Sequence, residues 1–472
     1  AAAMDAAAIA AGTPSFTLMR AAGAAATRLI CERYQMELGG GCLLLAGPGN
    51  NGGDAWVVAA ELKAVGVDVT VVEVEPPRTD DARLAKARYD GRVVGLADAL
   101  APASGTPPVV VDGLLGTGAT GAPRDAIASA IAAIDGWRAE GARIVAMDAP
   151  SGVDATTGAM PGAYVRADLT ITFGTVKRGL LRQRDASGAI VAVDIGLGAA
   201  AESGGLPLGT PASALAAVPS IPAGVNKGTR RRVLVIGGAV GMGGAAILAA
   251  RGALRSGAGM VKLCVEPASI APAQSAVPAA LTTPWPLDEP ALADTLGWAH
   301  AVLLGPGLGL SRAARELTER VLAAWRGPVV VDADALNAFE GNAERLGELL
   351  KGRPAVVTPH PVEAQRLAGT TASDIDAGRF EAAALLAQRV RATVLLKGVP
   401  TVVADAHRTM VVASGTPVLA TGGSGDVLGG IVATLLAQTG DALAAATSGA
   451  WAHGRAAEIA GAGRIRGVNL DD

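Results

Sequence analysis

Aromatic side chains are scarce, with Phe, Trp and Tyr making up 3% of 472 residues. That gives little support to an aromatic base-stacking platform. Positive charge is not concentrated either. The formal net charge is −3 and no long basic run occurs, which argues against a large nucleic-acid surface. The three cysteines, Cys31, Cys42 and Cys264, are too few and too scattered for a disulfide framework or a metal knot. They read as reduced thiols of a cytoplasmic protein. No stretch approaches the ~18 consecutive apolar residues that a membrane span requires. The opening AAAMDAAAIAAGTPSF lacks the basic region and clean apolar run of a secretory signal.

What the chain does have is small apolar residues. Half of it is apolar, Ala and Gly abound, and this implies tightly packed layers of small side chains. The length fits two domains or three. Short runs rich in Val, Leu and Ile alternate with Ala-rich segments of helical character. In the first half the runs are Cys42–Ala46, Val67–Val74, Val109–Asp112, Arg143–Asp148 and Leu169–Phe173, with helical stretches at Ala55–Val65, Asp80–Tyr89 and Arg124–Ala139. The alternation breaks near 199–225, where Gly, Pro and Ser are spread through the sequence. It restarts with Arg232–Ile236, Met260–Val265, Ala301–Leu304, Val329–Asp332, Ala355–Thr358, Thr393–Lys397 and Thr401–Ala404, and closes with helices near 425–438 and 441–461. Apolar strands alternating with helices indicate parallel sheets covered on both faces. The expected architecture is α/β: two tandem three-layer α/β/α domains, 1–205 and 206–472.

Three polar clusters interrupt the first half, each at the end of an apolar run. GPGNNGGD (47–54) lies between a strand and a helix, where an α/β sheet places its ligand crevice. Its glycines let a ligand approach the backbone, and the following helix offers unpaired amides to a phosphate. VVVDGLLGTGATGAPR (109–124) brings Asp112, Thr117 and Thr120; MDAPSGVDATTG (147–158) brings Asp148, Ser151 and Asp154. Any one of these residues suits a cap or turn. Together, Asn51, Asp112 and Ser151 on one rim make an oxygen-ligand set for a hard cation.

The second half carries LATGGSGDVLGGIVATLLAQ (419–438), a glycine-rich turn running into a long helix. Gly422, Gly423 and Gly425 aim helix-start amides outward as an anion hole for a transferring phosphoryl group. Asp426 in the first helical turn can accept a proton from an attacking hydroxyl. No G-x-x-x-x-G-K-[ST] occurs, so this is not a P-loop enzyme.

NNGGD, VDGLLGTG and DAPSG, in that order, resemble the NAD(P)HX epimerase domain over about residues 4–198, and MDAAAIAAGTPSFTLMRAAG looks like that family's N-terminal helices. The TGGSGD turn resembles the signature of the ribokinase-like fold. NKGTRRRVLVIGGAVGMGGAAILAARGALRSGAG, GPGLG, VVDADALN, TPHPVEAQRL and LLKGVPTVV narrow it to the ADP/ATP-dependent NAD(P)HX dehydratase branch, over about 211–470. A sugar kinase shares TGGSGD but not TPHPVEAQRL.

The resemblance implies a Rossmann-like domain that interconverts the C6 epimers of hydrated NADH or NADPH. It places substrate contacts on Asn50, Asn51, Gly52, Gly53 and Asp54, on Gly116, Thr117, Gly118, Ala119, Thr120, Gly121 and Ala122, and on Asp148, which is also the candidate acid–base group. It places a potassium ion on Asn51, Asp112 and Ser151. For the second domain it implies phosphorylation of the C6 hydroxyl of the S-epimer, followed by phosphate elimination. Substrate contacts fall on Gly244 or Ala245, Gly307, His360 and Asp426, with Asp426 as the base. Nucleotide contacts fall on Lys397, Gly398, Val399, Pro400, Thr401 and Gly425. Asp334, Asn337 and Glu363 are candidates for substrate or Mg²⁺; an N-cap for Asp334 and an exposed helix carboxylate for Glu363 are the plain alternatives. His300, His407 and His453 read as ordinary residues. Two departures from the family pattern are Ala55 after Asp54, where Gly is usual, and Asn226 before Lys227-Gly228, where His is frequent. High Ala, Gly and Arg content, with 33 Arg against 7 Lys, suits a GC-rich bacterial genome. Because bacterial members of the resembled family tend to use ADP and eukaryotic ones ATP, the resemblance then implies ADP. Likeness to the family also suggests a homo-oligomer. The rival expectations are a ribokinase-like small-molecule kinase with a non-catalytic N-terminal ligand-binding domain, and a scaffold that keeps both folds without turnover.

Overall fold

The computed structural model describes residues 2–101, 105–198 and 205–471. The chain divides into two compact units, Ala1–Gly205 and Leu206–Asp472.

In the first unit, seven strands form one sheet: β1 (Cys42–Ala46), β2 (Val69–Glu73), β3 (Arg92–Val94), β4 (Val109–Gly113), β5 (Arg143–Met147), β6 (Leu169–Phe173) and β7 (Ala189–Val193). Their order is β3-β2-β1-β4-β5-β6-β7, and every pairing is parallel. The pleat divides the apolar residues between two cores. Leu44, Ala46, Val71, Val109 and Val111 pack under the helices Ser15–Arg33 and Asn50–Ala64, while Leu43, Leu45, Val72 and Val110 pack under the helix Asp125–Ala139. This explains why the central strands are continuous apolar runs: both of their faces are covered.

The second unit holds nine strands: β8 (Arg232–Ile236), β9 (Met260–Val265), β10 (Leu281–Pro284), β11 (Ala301–Leu304), β12 (Val329–Val331), β13 (Ala355–Val357), β14 (Thr393–Leu396), β15 (Thr401–Ala404) and β16 (Thr409–Val412). The order is β10-β9-β8-β11-β12-β13-β14-β15-β16, parallel as far as β14, with β15 and β16 antiparallel additions. Val233, Val235, Leu263 and Leu303 face one core, built with helices Gly243–Arg255, Ser424–Thr439 and Ala442–Gly461. The abundance of glycine has a packing role here. A Cβ on Gly430 would lie 2.1 Å from Ala249 O, and one on Gly252 2.4 Å from Val427 O, so two helices meet backbone to backbone.

Some expectations need correction. The sequence places a helix start at Ala55, but the helix begins at Asn50, and NNGGD forms its opening turns. Gly53 N–H already donates to Gly49 O at 3.1 Å. Of the breakpoint near 199–225, residues 199–204 lie outside the described residues. Beyond them, Leu208 pairs with Val411 and a short helix covers Pro211–Ala216, so this stretch is in part structured.

Candidate functional sites

In each unit the strand order reverses between two neighbouring central strands, β1 and β4 in the first and β8 and β11 in the second. Ligands of open α/β sheets bind at the carboxyl ends of strands at such a point.

In the first unit a cavity of about 500 Å³ opens there. Its lining includes Asn50, Asn51 and Asp54 after β1, Gly116, Thr117, Gly118 and Ala119 after β4, and Asp148 after β5. Thr120, Gly121 and Ala122 are not among the residues that line it. Gly52 and Gly53 are buried against the protein itself: a Cβ on the first would meet Gly47 O at 1.9 Å and one on the second the Met19 methyl at 2.5 Å. Ala55 is wholly buried, its methyl against Gly113.

Asp148, which lines the cavity, holds a positive φ of 61°, unusual for a non-glycine residue. Asp148 Oδ1 accepts from the Phe173 N–H at 3.1 Å and forms an ion pair with Lys177. Lys177, which the sequence reading did not single out, is buried and also donates to Thr172 Oγ1 at 2.9 Å and to Phe173 O at 3.0 Å. Its signal was weak: a lone lysine after a strand end looks like surface charge.

Asp112, Ser151 and Asn51 come together beside this cavity. Asp112 is fully buried; it accepts from Ser151 Oγ at 2.6 Å, Ser151 N at 2.8 Å and Leu114 N at 3.1 Å. Burial pushes its pKa up to about 6 against the pull of these hydrogen bonds. Asn51 Nδ2 donates to Leu115 O at 2.9 Å, whereas its Oδ1 is buried with no partner among the described residues. One carboxylate, a hydroxyl and an unpaired amide oxygen form an all-oxygen donor set suited to a hard cation.

In the second unit the loops after β8 and β11 lock together, with Gly238 N–H donating to Pro306 O at 2.9 Å and Ala239 N–H to Gly307 O at 2.7 Å. Gly307 has φ 57°, and a Cβ there would lie 2.5 Å from Met242 O. Gly244 faces open space, and Ala245 follows it at the start of the helix Gly243–Arg255. Across the strand ends stands a charge cluster. Lys397, following β14, pairs with Asp332 at 3.0 Å and with Glu363 at 3.7 Å. Burial would depress this ammonium, but the two carboxylates outweigh it and its pKa lies above the ordinary value. Asp332, which the sequence marks only as the end of an apolar run, is buried just after β12. Glu363 is also buried rather than exposed, because it answers both Lys397 and the His360 amide, from which its Oε2 accepts at 2.8 Å. His360 caps the helix Pro361–Ala368, Nδ1 accepting from Val362 N at 3.1 Å and Glu363 N at 3.3 Å; burial lowers its pKa.

The helix Ser424–Thr439 follows Gly423, which has φ 94° and gives no side-chain cap; Ser424 N–H turns back to Thr421 O at 3.2 Å, and the next amides are left for a ligand. A Cβ on Gly425 would lie 3.4 Å from Lys397 Nζ, while Gly422 faces open space. Burial, reinforced by Asp332 and opposed by Lys397, raises the Asp426 pKa to about 7. That is the range of a base working at neutral pH. The 397–401 loop is fastened from behind by the buried Arg379, which donates to Pro400 O; Gly398 abuts the same guanidinium, Thr401 Oγ1 donates to Gly398 O at 3.2 Å, and Val399 is exposed. Asp334 caps no helix, since its carboxylate accepts from Gly309 N at 2.8 Å, and Asn337 accepts from Arg366 at 2.9 Å. Asn226 closes a turn of its own, Oδ1 accepting from Gly228 N at 2.9 Å and Thr229 N at 3.1 Å.

Residues 233–472 match the family described as NAD(P)H-hydrate dehydratase, and residues 15–179 match the YjeF-related protein N-terminus family. The bifunctional NAD(P)H-hydrate repair enzyme of Escherichia coli K12 is 37% identical over 458 residues, covering 95% of this chain and 86% of the relative. That of Thermanaerovibrio acidaminovorans is 35% identical, with 98% and 94% covered. Among solved structures, the ADP/ATP-dependent NAD(P)H-hydrate dehydratase of Bacillus subtilis, co-crystallised with ATP and Mg²⁺, is similar at 27% identity and a TM-score of 0.48, covering 56% of this chain and 92% of the other.

Proposed function

Because the chain belongs to the family of bifunctional NAD(P)H-hydrate repair enzymes, we propose that it restores hydrated nicotinamide coenzymes by two reactions. It epimerises R- and S-NAD(P)HX, and it dehydrates the S-epimer to NAD(P)H at the expense of a nucleotide. We assign epimerisation to 1–205 and dehydration to 206–472. The observation that carries this reading is that each unit holds its own carboxylate, Asp148 lining the cavity of one and Asp426, at a helix start within the charge cluster of Asp332 and Lys397, in the other.

In the dehydratase unit, Asp426 takes the proton of the C6 hydroxyl as its oxygen attacks the terminal phosphoryl group. The amides of Gly422, Gly423 and Gly425 receive the phosphoryl oxygens, and Lys397 supplies fixed positive charge beside them. Phosphate then leaves C6 with its bonding pair and C5 releases a proton to solvent, whose C–H pair forms the ring double bond. Substrate is held by Gly244 or Ala245, Gly307 and His360, and nucleotide by 397–401 and Gly425. ADP is the expected cosubstrate, with ATP as the tested alternative. Glu363 and Asp334 are the carboxylates that would help to hold Mg²⁺, which would offset the charge of the nucleotide phosphates. In the epimerase unit, K⁺ fits Asn51, Asp112 and Ser151: it would satisfy Asn51 Oδ1 and offset the buried Asp112 charge.

No helix among the described residues is long and apolar enough to cross a membrane. A cytoplasmic location and a homo-oligomer, the latter to be tested by light scattering, belong to the same proposal.

The deciding experiment supplies mixed R- and S-NADHX with ADP or ATP and Mg²⁺, and follows the near-ultraviolet absorbance that only intact NADH has. The chain converts the whole mixture. A stable phosphorylated product with no NADH favours a small-molecule kinase, and conversion that halts at the S fraction removes epimerisation from the first unit.

A further inference from the structure

The cavity of the first unit holds a second carboxyl group that Asp148 does not explain. Asp54 lies in the opening turns of the helix Asn50–Ala64, is 9% exposed and lines the cavity together with Asp148, Lys177 and Asp5. The two central carboxyls are served differently. Asp148 is met by the Lys177 ammonium and by the Phe173 amide. Asp54 receives no hydrogen bond from any described residue, although it is buried and its environment is crowded with negative charge. The groups that face it are Asp148, Asp5 and Asp81, which disfavour a second anion, and Lys177, which is already engaged by Asp148. An unpartnered buried carboxyl among carboxylates is a group kept in its acid form, with a proton to give. Burial, with Asp148 next in weight, accordingly raises its pKa well above the ordinary value.

We infer that Asp54 is the catalytic acid of epimerisation, working across the cavity from Asp148. The inference rests on the assignment of epimerisation to this unit. The hydrated ring is a cyclic hemiaminal, with N1 and a hydroxyl on the same carbon, C6. Asp148 takes the hydroxyl proton, and the O–H electron pair forms the C6 carbonyl. The N1–C6 bond breaks, its electron pair passes to N1, and N1 receives the Asp54 proton. The freed aldehyde arm turns about C5–C6. The N1 pair then attacks the opposite face, the carbonyl oxygen recovers the proton held on Asp148, and the N1 proton returns to Asp54. Nothing is oxidised or reduced, and both side chains end as they began. Two carboxyls in opposite protonation states perform both directions of this exchange.

The test uses the full chain and pure S-NADHX without nucleotide, so that only epimerisation is seen, with the R-epimer separated by chromatography. Asp54→Asn keeps the shape of a neutral acid but has no transferable proton. We expect a loss of about 100-fold or more in kcat, an unchanged KM and an unchanged unfolding midpoint. In the wild type, kcat falls towards alkaline pH as Asp54 loses its proton, and the residual activity of Asp54→Asn lacks that limb. Retention of kcat within about threefold, or a loss confined to KM, overturns the inference and leaves epimerisation in this unit standing. If Asp54→Asn does not fold, the wild-type profile decides, and a kcat that holds level into alkaline pH overturns it. A wild type that forms no R-epimer fails at the earlier step, the assignment of epimerisation itself.

Discussion

Asp426 shows how a common residue acquires a function from its surroundings. Exposed on a helix it would favour the first turn and do nothing more. Burial, with Asp332 beside it, lifts its pKa to about 7, so it is largely protonated in mild acid and becomes a base as pH rises. Dehydration kcat/KM should therefore rise with pH through about 7 and level off above. Asp426→Asn should remove about 10²–10⁴-fold of the rate and abolish that limb of the profile. Lys177 poses the converse case. Its ammonium is buried in contact with Asp148, Thr172 and the Phe173 carbonyl. Lys177→Met leaves Asp148 buried without its cation and should lower unfolding free energy by on the order of 3–5 kcal/mol. The double variant with Asp148→Asn should recover part of that loss in denaturant melts. If it recovers none, the pair is not the reason for the destabilisation.

At the scale of elements, glycine spacing decides how closely the second unit packs. Gly430 and Gly252 let the helices Ser424–Thr439 and Gly243–Arg255 touch through their backbones, and the first of these helices bears Asp426. Gly430→Ala places a methyl carbon 2.1 Å from Ala249 O, a backbone atom that cannot rotate away. It should reduce stability by on the order of 1–3 kcal/mol, read from the denaturation midpoint, and also slow dehydration by tilting the helix that aims Asp426. The strands teach a related lesson. Every strand interior to the two sheets was visible as an apolar run, while β3, β7, β10 and β16 were not, and these four are the sheet edges. An edge is covered on fewer sides, so β3 and β10 remain partly exposed and tolerate Arg92 and Thr282–Thr283. β7 is apolar enough, but AIVAV reads equally well as Ala-rich helix.

For the whole molecule, the two units have separate sheets and separate cores. Each site is composed of residues from a single unit. Asp426→Asn should therefore still equilibrate R- and S-NADHX while producing no NADH. Asp148→Asn should convert S-NADHX at the wild-type rate and then continue only as fast as uncatalysed epimerisation supplies it. Chromatography of both epimers alongside NADH absorbance checks both. Loss of both activities from either substitution would show that the units do not work independently.

The sequence by itself determined the elements whose signal is local. These are the buried strands, the glycine turns where a side chain would collide, the order NNGGD, VDGLLGTG, DAPSG and the TGGSGD turn. A motif works through neighbours in the chain, so it survives as a string. What only the tertiary structure decided is which charges meet. Lys177 lies 29 residues from Asp148, and Lys397 lies 65 from Asp332. No periodicity links such positions, and a lone Lys or Asp looks alike whether solvated or buried. The unpaired Asn51 oxygen, the unserved Asp54 carboxyl and the raised pKa of Asp426 are likewise products of burial. Burial is fixed by how whole layers pack, and no short stretch of sequence states it.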